Sequence, residues 1–187
     1  HVGGTCLADP VDFEKWMMLI NAAKAKGSLV SLDPNIRPSL ITDMVEFSRR
    51  MARACEAADL IKASDEDCEI LFGTSALDEL TAGPFAGAQL VVMTRGSKGA
   101  LGKMVNGTIT DVPCAPLARL VDTVGAGDCF QAGLLAHLWH GGYLLSSEAL
   151  ASLPSNILHE AIAFGHAVAA INCGRHGCNP PWMRELK

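Results

Sequence analysis

The sequence predicts an α/β protein of three layers, in which a mostly parallel central sheet lies between helices on both faces. Segments with helical spacing of apolar residues alternate along the chain with short apolar segments that are typical of buried strands. The 187 residues suffice for one ordinary domain, and 49% of them are hydrophobic, which is enough for a sizeable core. The sequence contains no internal repeat, low-complexity tract or linker, so we expect one domain or a large piece of one.

The first half of the chain supplies most of the predicted parallel strands. The opening residues, HVGGTCLADP, are typical of the end of a strand followed by a loop. Thr42 is the predicted N-terminal cap of the second helix. In chain order we predict a helix over 14–27, a strand over 28–33, a helix over 40–58, a strand over 59–64 and a short helix over 65–73.

The second half begins with one more strand and ends in helices. Asn106-Gly107 is a strong signal for the turn of a β-hairpin, and Pro154 should interrupt the last helical region. We predict a strand over 88–96, a hairpin over 99–113, a helix over 129–140 and one or two further helices over 146–171.

Composition and charge exclude several classes of function. The net charge is -5 and no basic stripe occurs, so we expect neither nucleic acid nor an anionic membrane as a partner. The seven cysteines include no CxxC pair, which favours reduced thiols in a cytoplasmic protein over disulfides or a zinc site. No apolar run reaches the ~18 residues of a membrane span.

The polar loops of the predicted sheet should meet at one edge. DPNIRP follows the first strand, KASDED the second and TRGSKG the third, while DTVGAGD precedes a helix. Ligands of such sheets bind at the carboxyl ends of the strands, so these four loops are the candidate binding region.

The segment DTVGAGDCFQAG, residues 122–133, places two glycines, whose backbone no side chain covers, next to a carboxylate. Gly125 and Gly127 would let an anion approach the amides of Ala126, Gly127 and Asp128 at the start of a helix. A carboxylate repels a resting phosphate, but Asp128 could accept the proton of a hydroxyl that attacks a phosphate. Asp128 could equally cap the helix as an acidic first-turn residue, and spacing alone does not decide between the two roles.

This segment resembles the C-terminal signature of the ribokinase-like (PfkB) carbohydrate kinases. Four other segments also resemble motifs of that family and occur in the expected order: LDPNIRP, IKASDED, VVMTRGSKGA and NCGRHGCNPP. Their sequences are most similar to those of the fructokinase subgroup. The resemblance covers nearly the whole chain but only the C-terminal part of the family pattern. Residues 1–187 would therefore be the C-terminal portion of a single ribokinase-like kinase domain, without its N-terminal part and β-lid.

The resemblance implies ATP-dependent phosphorylation of a sugar hydroxyl, with fructose as the leading substrate. Relatives that phosphorylate 2-keto-3-deoxygluconate, ribose or nucleosides leave those substrates open, as does a non-catalytic fragment that binds nucleotide or sugar. The implied cofactors are ATP, Mg²⁺ and K⁺, and the implied partners are the small sugar and, through the family's lid, a second copy of the chain in a homodimer.

The resemblance also assigns roles to residues of the GAGD segment and of the late loop, which is the segment NCGRHGCNPP. Asp128 becomes the catalytic base, and the backbone of Gly125, Ala126 and Gly127 forms the anion hole together with the Asp128 amide. A monovalent cation would lie beside this hole. Its implied ligands are Asp122, Val124, Asn172, Arg175 and Gly177.

The resemblance implies ATP-binding roles for five further residues, and each of them also has a purely structural interpretation. Ser64 and Asp67 occupy the magnesium and phosphate loop of the family, but they could also form an N-capping pair. Thr94, Gly96 and Gly99 could line the nucleotide phosphates or simply build a hairpin turn.

The remaining two assignments concern adenine and the substrate. His166 matches a family position near the adenine, although a lone helix histidine is often a core or surface residue. Asn35 and Arg37 are the candidate substrate residues, because a guanidinium is a good partner for a phosphate or a substrate oxygen. The alternative is a structural hydrogen-bond network from Asp33 into this loop.

Overall fold

The computed structural model of the protein describes residues 1–117 and 119–186. Its centre is a six-stranded sheet in which the strands follow one another in chain order. The first four strands pair in parallel, and the last three form an antiparallel meander. The strands are β1 (Val2–Gly3), β2 (Ser31–Asp33), β3 (Leu60–Ser64), β4 (Leu90–Thr94), β5 (Ala100–Met104) and β6 (Ile109–Val112).

Helices cover both faces of this sheet, as the sequence predicts. They are α1 (Pro10–Ala25), α2 (Met44–Ala57), α3 (Asp65–Phe72), α4 (Leu77–Ala82), α5 (Ala126–His140), α6 (Ser147–Ala151) and α7 (Ser155–Cys173). Short 3₁₀ turns occupy Gly4–Leu7, Pro38–Leu40, Gly96–Lys98 and Met183–Glu185. Among the described residues, no helix is both long and apolar enough to cross a bilayer.

The alternation of side chains along β3 and β4 divides the interior into two cores. Ile61 and Ala63 of β3 pack into the core under α1, α2 and α3. Leu60 of β3 and Val92 of β4 belong to the core under α5 and α7. Because successive side chains of a strand point to opposite faces, one apolar strand serves both layers.

Two predictions about helix starts are wrong, for the same physical reason. The first helix begins at Pro10 because the Asp9 carboxylate caps it, accepting from the amide nitrogens of Val11 at 2.8 Å and Asp12 at 3.1 Å. Thr42 is not the cap of α2; the Asp43 carboxylate accepts from the Glu46 amide at 3.0 Å instead.

The predicted hairpin is confirmed, with Asn106 and Gly107 in its turn. The Asn106 side chain accepts from the Thr108 amide at 2.9 Å, and Gly107 adopts the left-handed φ of +87°. The break near Pro154 is confirmed as well, since α6 ends at Ala151 and α7 starts at Ser155. Helix α4 has no counterpart among the predicted elements.

Candidate active site

The loop that leads into α5 is shaped by a glycine. Gly125 precedes the first helical residue with a left-handed φ of +74°, and a Cβ there would collide with the Sγ of Cys178. The Ala126 amide donates to the Thr123 carbonyl at 3.1 Å. Within the described chain the amides of Gly127 and Asp128 have no backbone acceptor, so the open donors of this helix start are these two.

The Asp128 carboxylate lies in the first turn of α5 and is exposed. It accepts from the Asn35 side-chain amide at 3.4 Å, which brings it to the loop after β2. No backbone amide of the described residues donates to this carboxylate, so Asp128 does not cap the helix by a hydrogen bond, although it is the acidic residue of the first turn.

The loop after β2 holds both candidate substrate residues. The Arg37 guanidinium donates to the Asn35 side-chain oxygen at 2.8 Å and to the Ile36 carbonyl at 2.9 Å. Asn35 has a φ of +37°, a conformation that residues other than glycine rarely adopt. The structure thus brings Asn35, Arg37 and Asp128 together at the carboxyl edge of the sheet.

The loop after β3 contributes to the same edge. The Ser64 hydroxyl accepts from the Asp67 amide at 3.0 Å, so the predicted capping role of Ser64 is confirmed. The Asp67 carboxylate accepts from the Ile36 amide at 3.1 Å, which ties this loop to the loop after β2 through one oxygen. The second carboxylate oxygen has no hydrogen-bond partner in the described chain.

The glycines of TRGSKG belong to the turn between β4 and β5. Gly96 and Gly99 both have positive φ, and a Cβ on Gly99 would collide with the Val112 carbonyl. Packing therefore explains the glycine at 99 without a ligand. Thr94 ends β4 at the carboxyl edge, and its hydroxyl lies 3.5 Å from the Ala63 carbonyl.

His166 lies in the interior, on the face of α7 that meets α5. It is 6% exposed, and its ring packs edge-on against Phe130 at 5.0 Å between ring centres. Burial lowers the pKa of His166 below its usual 6.5, so the neutral imidazole is favoured. This position favours a core histidine, and the adenine contact stays a prediction.

The loop after α7 is fastened to the loop before α5. The Asp122 carboxylate accepts from the Val124 amide at 3.0 Å and from the Gly177 amide at 2.9 Å. These two hydrogen bonds hold the pKa of Asp122 below its usual value. The Asn172 side chain donates to the Val124 carbonyl at 2.8 Å and accepts from the Asn179 amide at the same distance.

Four of the five residues predicted to surround a monovalent cation therefore lie in two adjoining loops, and Asn172 lies in the last turn of α7 beside them. The Arg175 amide donates to the Asn172 carbonyl at 3.0 Å, while its guanidinium pairs with Glu185. The available donors are carbonyl and carboxylate oxygens, which suit a hard cation. The carbonyls of Val124 and Asn172 each accept a hydrogen bond and retain a second lone pair, so the donor set fits K⁺.

Sequence reasoning missed a buried ion pair beneath this site. The Lys62 ammonium of β3 donates to the Asp33 carboxylate of β2 at 2.8 Å, and the two side chains are only 4% and 3% exposed. Burial raises the pKa of Asp33, and Lys62 opposes that shift. A Cβ on Gly127 would lie 3.2 Å from the Lys62 nitrogen, so the ammonium sits directly behind the start of α5. The available signal was a lone lysine in the apolar strand DLIKAS.

Comparison with known proteins identifies the relatives of this chain. The model of the pfkB family of carbohydrate kinases matches residues 1–185. A fructokinase of Rhizobium leguminosarum bv. trifolii is 38% identical over 160 residues, which cover 84% of this chain and 48% of that protein. The 2-dehydro-3-deoxygluconokinase of Escherichia coli K12 is 31% identical over 147 residues, covering 76% of this chain and 48% of that protein.

A solved structure has the same fold. The fructokinase double mutant of Vibrio cholerae O395, in its form bound to fructose, ADP and a potassium ion, superposes with a TM-score of 0.78. It is 28% identical, and the match covers 95% of this chain and 55% of that chain. The predicted ribokinase-like α/β fold is confirmed, and the chain spans about half the length of the curated relatives it matches.

Proposed function

Because this chain belongs to the pfkB family of carbohydrate kinases, we propose that it forms the catalytic end of an ATP-dependent sugar kinase. One observation carries the proposal. Asp128 presents an exposed carboxylate beside the open amides of Gly127 and Asp128, with the Asn35 side chain 3.4 Å away. A general base next to an anion-binding helix start is the arrangement that phosphoryl transfer to a hydroxyl requires.

In the proposed reaction Asp128 accepts the proton of a sugar hydroxyl as that oxygen attacks the γ-phosphorus of ATP. The bond between the γ-phosphorus and the β–γ bridging oxygen breaks, and ADP leaves. The amides of Gly127 and Asp128 donate to the oxygens of the transferred phosphoryl group, and the dipole of α5 favours their negative charge. Asn35 holds the carboxylate towards the substrate loop.

The nucleotide would lie along the ends of β3 and β4. Asp67 has one free carboxylate oxygen for a water on the Mg²⁺ that ATP carries, and Mg²⁺ needs few protein ligands. No group of three or more histidine, cysteine or acidic side chains within the described residues could hold a metal by itself. Thr94 and Gly96 would flank the phosphates, and Ser64 holds the backbone of Asp67 in place.

Fructose is the sugar we propose, since fructokinases of several organisms are among the relatives of this chain. A second candidate is 2-dehydro-3-deoxygluconate, which is another name for 2-keto-3-deoxygluconate. The related Escherichia coli kinase is named for this substrate. The exposed Arg37 guanidinium favours this alternative, because it could hold the carboxylate of a sugar acid in a bidentate pair. The KM values of Arg37→Ala for the two sugars separate these candidates. The variant should lose far more affinity for the sugar acid than for fructose.

The test of the kinase proposal is turnover of Mg-ATP by the full-length protein, with Asp128→Asn beside it. We expect ADP release with one sugar from a panel of fructose, 2-dehydro-3-deoxygluconate, ribose and adenosine. Asp128→Asn should lower kcat by about 10²–10⁴, the usual effect of a general base, while ATP affinity changes little. Asp12→Asn is a matched control, because Asp12 is an exposed carboxylate on α1 whose only ion pair is with Lys15 among the described residues.

Full turnover by Asp128→Asn would show that this carboxylate is not the base. ATP binding without turnover of any sugar would instead favour a module that binds nucleotide and does not catalyse transfer.

A further inference from the structure

We propose that Lys62 is a positioning residue for phosphoryl transfer: its buried ammonium lies behind Gly127 and adds positive charge to the anion-binding start of α5. The inference rests on the proposed kinase function and extends it to a residue that touches no substrate. Asp33 holds the ammonium in place from the neighbouring strand.

The strand register produces this placement. Leu60 of β3 packs into the core under α5 and α7, and Lys62, two residues on, points to the same face. β2 and β3 run parallel with Leu32 beside Ile61, so Asp33 comes next to Lys62 at the carboxyl edge. The ammonium meets Asp33 at 2.8 Å and lies 3.2 Å from the place of a Cβ on Gly127.

The ion pair leaves a buried acceptor and ammonium donors without hydrogen-bond partners among the described residues, which a purely stabilising role does not explain. The Oδ1 of Asp33 is buried and has no partner among the described residues. The Lys62 ammonium donates one hydrogen bond within the same residues, although it carries three donors. Because a buried ion pair is often no more stabilising than apolar side chains of the same volume, an incompletely satisfied pair points to another use of the charge.

That use follows from the position of the charge. Negative charge spreads over the phosphoryl oxygens during transfer, and the amides of Gly127 and Asp128 face that place. The paired Asp33 carboxylate offsets part of the ammonium's field, but only the Lys62 nitrogen comes within 4 Å of a Cβ placed on Gly127, so the positive end of the ion pair is the nearer one. This dipole is fixed before the reaction and shielded from water, so it acts more strongly than a surface pair would.

The test is the double variant Asp33→Asn/Lys62→Met, which removes both charges and keeps both side-chain volumes. We expect its melting temperature to stay close to that of the wild type, because no buried charge is left unpaired. Its kcat should fall about 10–100-fold, less than the loss seen when a direct anion-hole donor is removed. KM for the sugar should change little, because Lys62 touches no substrate.

A second measurement uses binding alone. Mg-ADP with tetrafluoroaluminate mimics the transferring phosphoryl group, and calorimetry of the full-length protein compares it with Mg-ADP. The double variant should lose about tenfold or more in affinity for the fluoroaluminate complex and little for Mg-ADP. Should that variant fail to fold, Lys62→Ala prepared in ethylammonium replaces it, because the added amine pairs the buried Asp33 carboxylate. Its kcat should recover with ethylammonium but not with tetramethylammonium.

The outcomes separate this inference from the kinase proposal. A double variant with wild-type kcat and wild-type fluoroaluminate affinity, or no recovery with ethylammonium, overturns the role of Lys62 and leaves the kinase proposal standing. A wild-type protein that neither turns over a sugar nor prefers the fluoroaluminate complex overturns both.

Discussion

Asp122 shows how a single carboxylate can shape the site without being its base. It accepts two backbone hydrogen bonds, from Val124 before α5 and from Gly177 after α7. Both bonds favour the ionised form, and they hold its pKa below the usual 3.8. The charge of Asp122 therefore fastens the loop before α5 to the loop after α7.

We predict that this fastening weakens in acid. Because the folded-state pKa of Asp122 is lowered, its contribution to stability is complete above pH 3.8 and is lost as the pH falls through the folded-state pKa. Asp122→Asn should melt at a lower temperature than the wild type at pH 6. The difference between the two melting temperatures should shrink steadily below pH 3.8.

The melting curves belong in a tetramethylammonium buffer, so that no K⁺ stabilises the loop. Asp12→Asn serves as the control and should track the wild type, since Asp12 lies in an exposed ion pair. A constant difference between Asp122→Asn and the wild type from pH 6 to pH 3 would mean that the charge of Asp122 is not what joins the loops.

At the level of elements, α5 and α7 owe their close approach to two glycines. A Cβ on Gly133 would lie 2.9 Å from a methyl carbon of Val168, and one on Gly165 would lie 2.9 Å from the Phe130 carbonyl oxygen. Backbone carbonyls cannot move aside as a flexible side chain can. The helix start that carries Asp128 is thus positioned by a contact along the middle of the helix.

Gly165→Ala should therefore destabilise the protein although alanine is the better helix former. Helix propensity favours alanine over glycine by about 1 kcal/mol, but overpacking a tight interior contact costs about 1–3 kcal/mol. We expect a net loss of about 1–2 kcal/mol in chemical unfolding, because the clash is with backbone. Gly174→Ala is the matched control just after α7, where the nearest atom to the new Cβ is the Ile171 carbonyl oxygen at an ordinary 3.5 Å. Equal stability of both variants would contradict this account.

Elements with local signals could be predicted from the sequence. The Asn106-Gly107 turn and the break at Pro154 depend on a few adjacent residues, and both predictions are confirmed. The start of α1 was missed because the Asp9-Pro10 signal lies outside the apolar periodicity. The capping partner of Ser64 is three residues away in the chain, so this contact was also predictable.

Contacts between elements could not be predicted in the same way. The hydrogen bond from the Ile36 amide to Asp67 and the ion pair of Asp33 with Lys62 both depend on strand order and register. The order of the motifs predicted which loops lie near one another, but it did not predict that the Asp67 carboxylate accepts a hydrogen bond from the loop after β2. The roles predicted for the site residues stay predictions until they are measured.

For the whole molecule, the candidate site joins two parts of the chain. The loops after β2 and β3 come from the first half, and the loops around α5 and α7 come from the second. The Asn35 side chain links the halves through Asp128, and Lys62 lies between Asp33 and Gly127 below. A ligand that stabilises either half of the site should therefore affect the stability of the folded protein and its turnover together.

The predicted monovalent cation allows this coupling to be measured. At a K⁺ concentration 100-fold above its Kd, a single site stabilises the folded protein by about 2.7 kcal/mol. We expect the full-length protein to melt several degrees higher in KCl than in tetramethylammonium chloride of equal ionic strength, and to have a higher kcat in KCl. Asp122→Asn should lose most of both responses, because Asp122 fastens the two loops that carry the ligands. Asp12→Asn should keep them. Identical melting temperatures and rates of the wild type in the two salts would mean that the Val124 and Asn172 carbonyls only accept hydrogen bonds from the protein and bind no cation. The loop after α7 would then act through Asp122 and Asn172 alone.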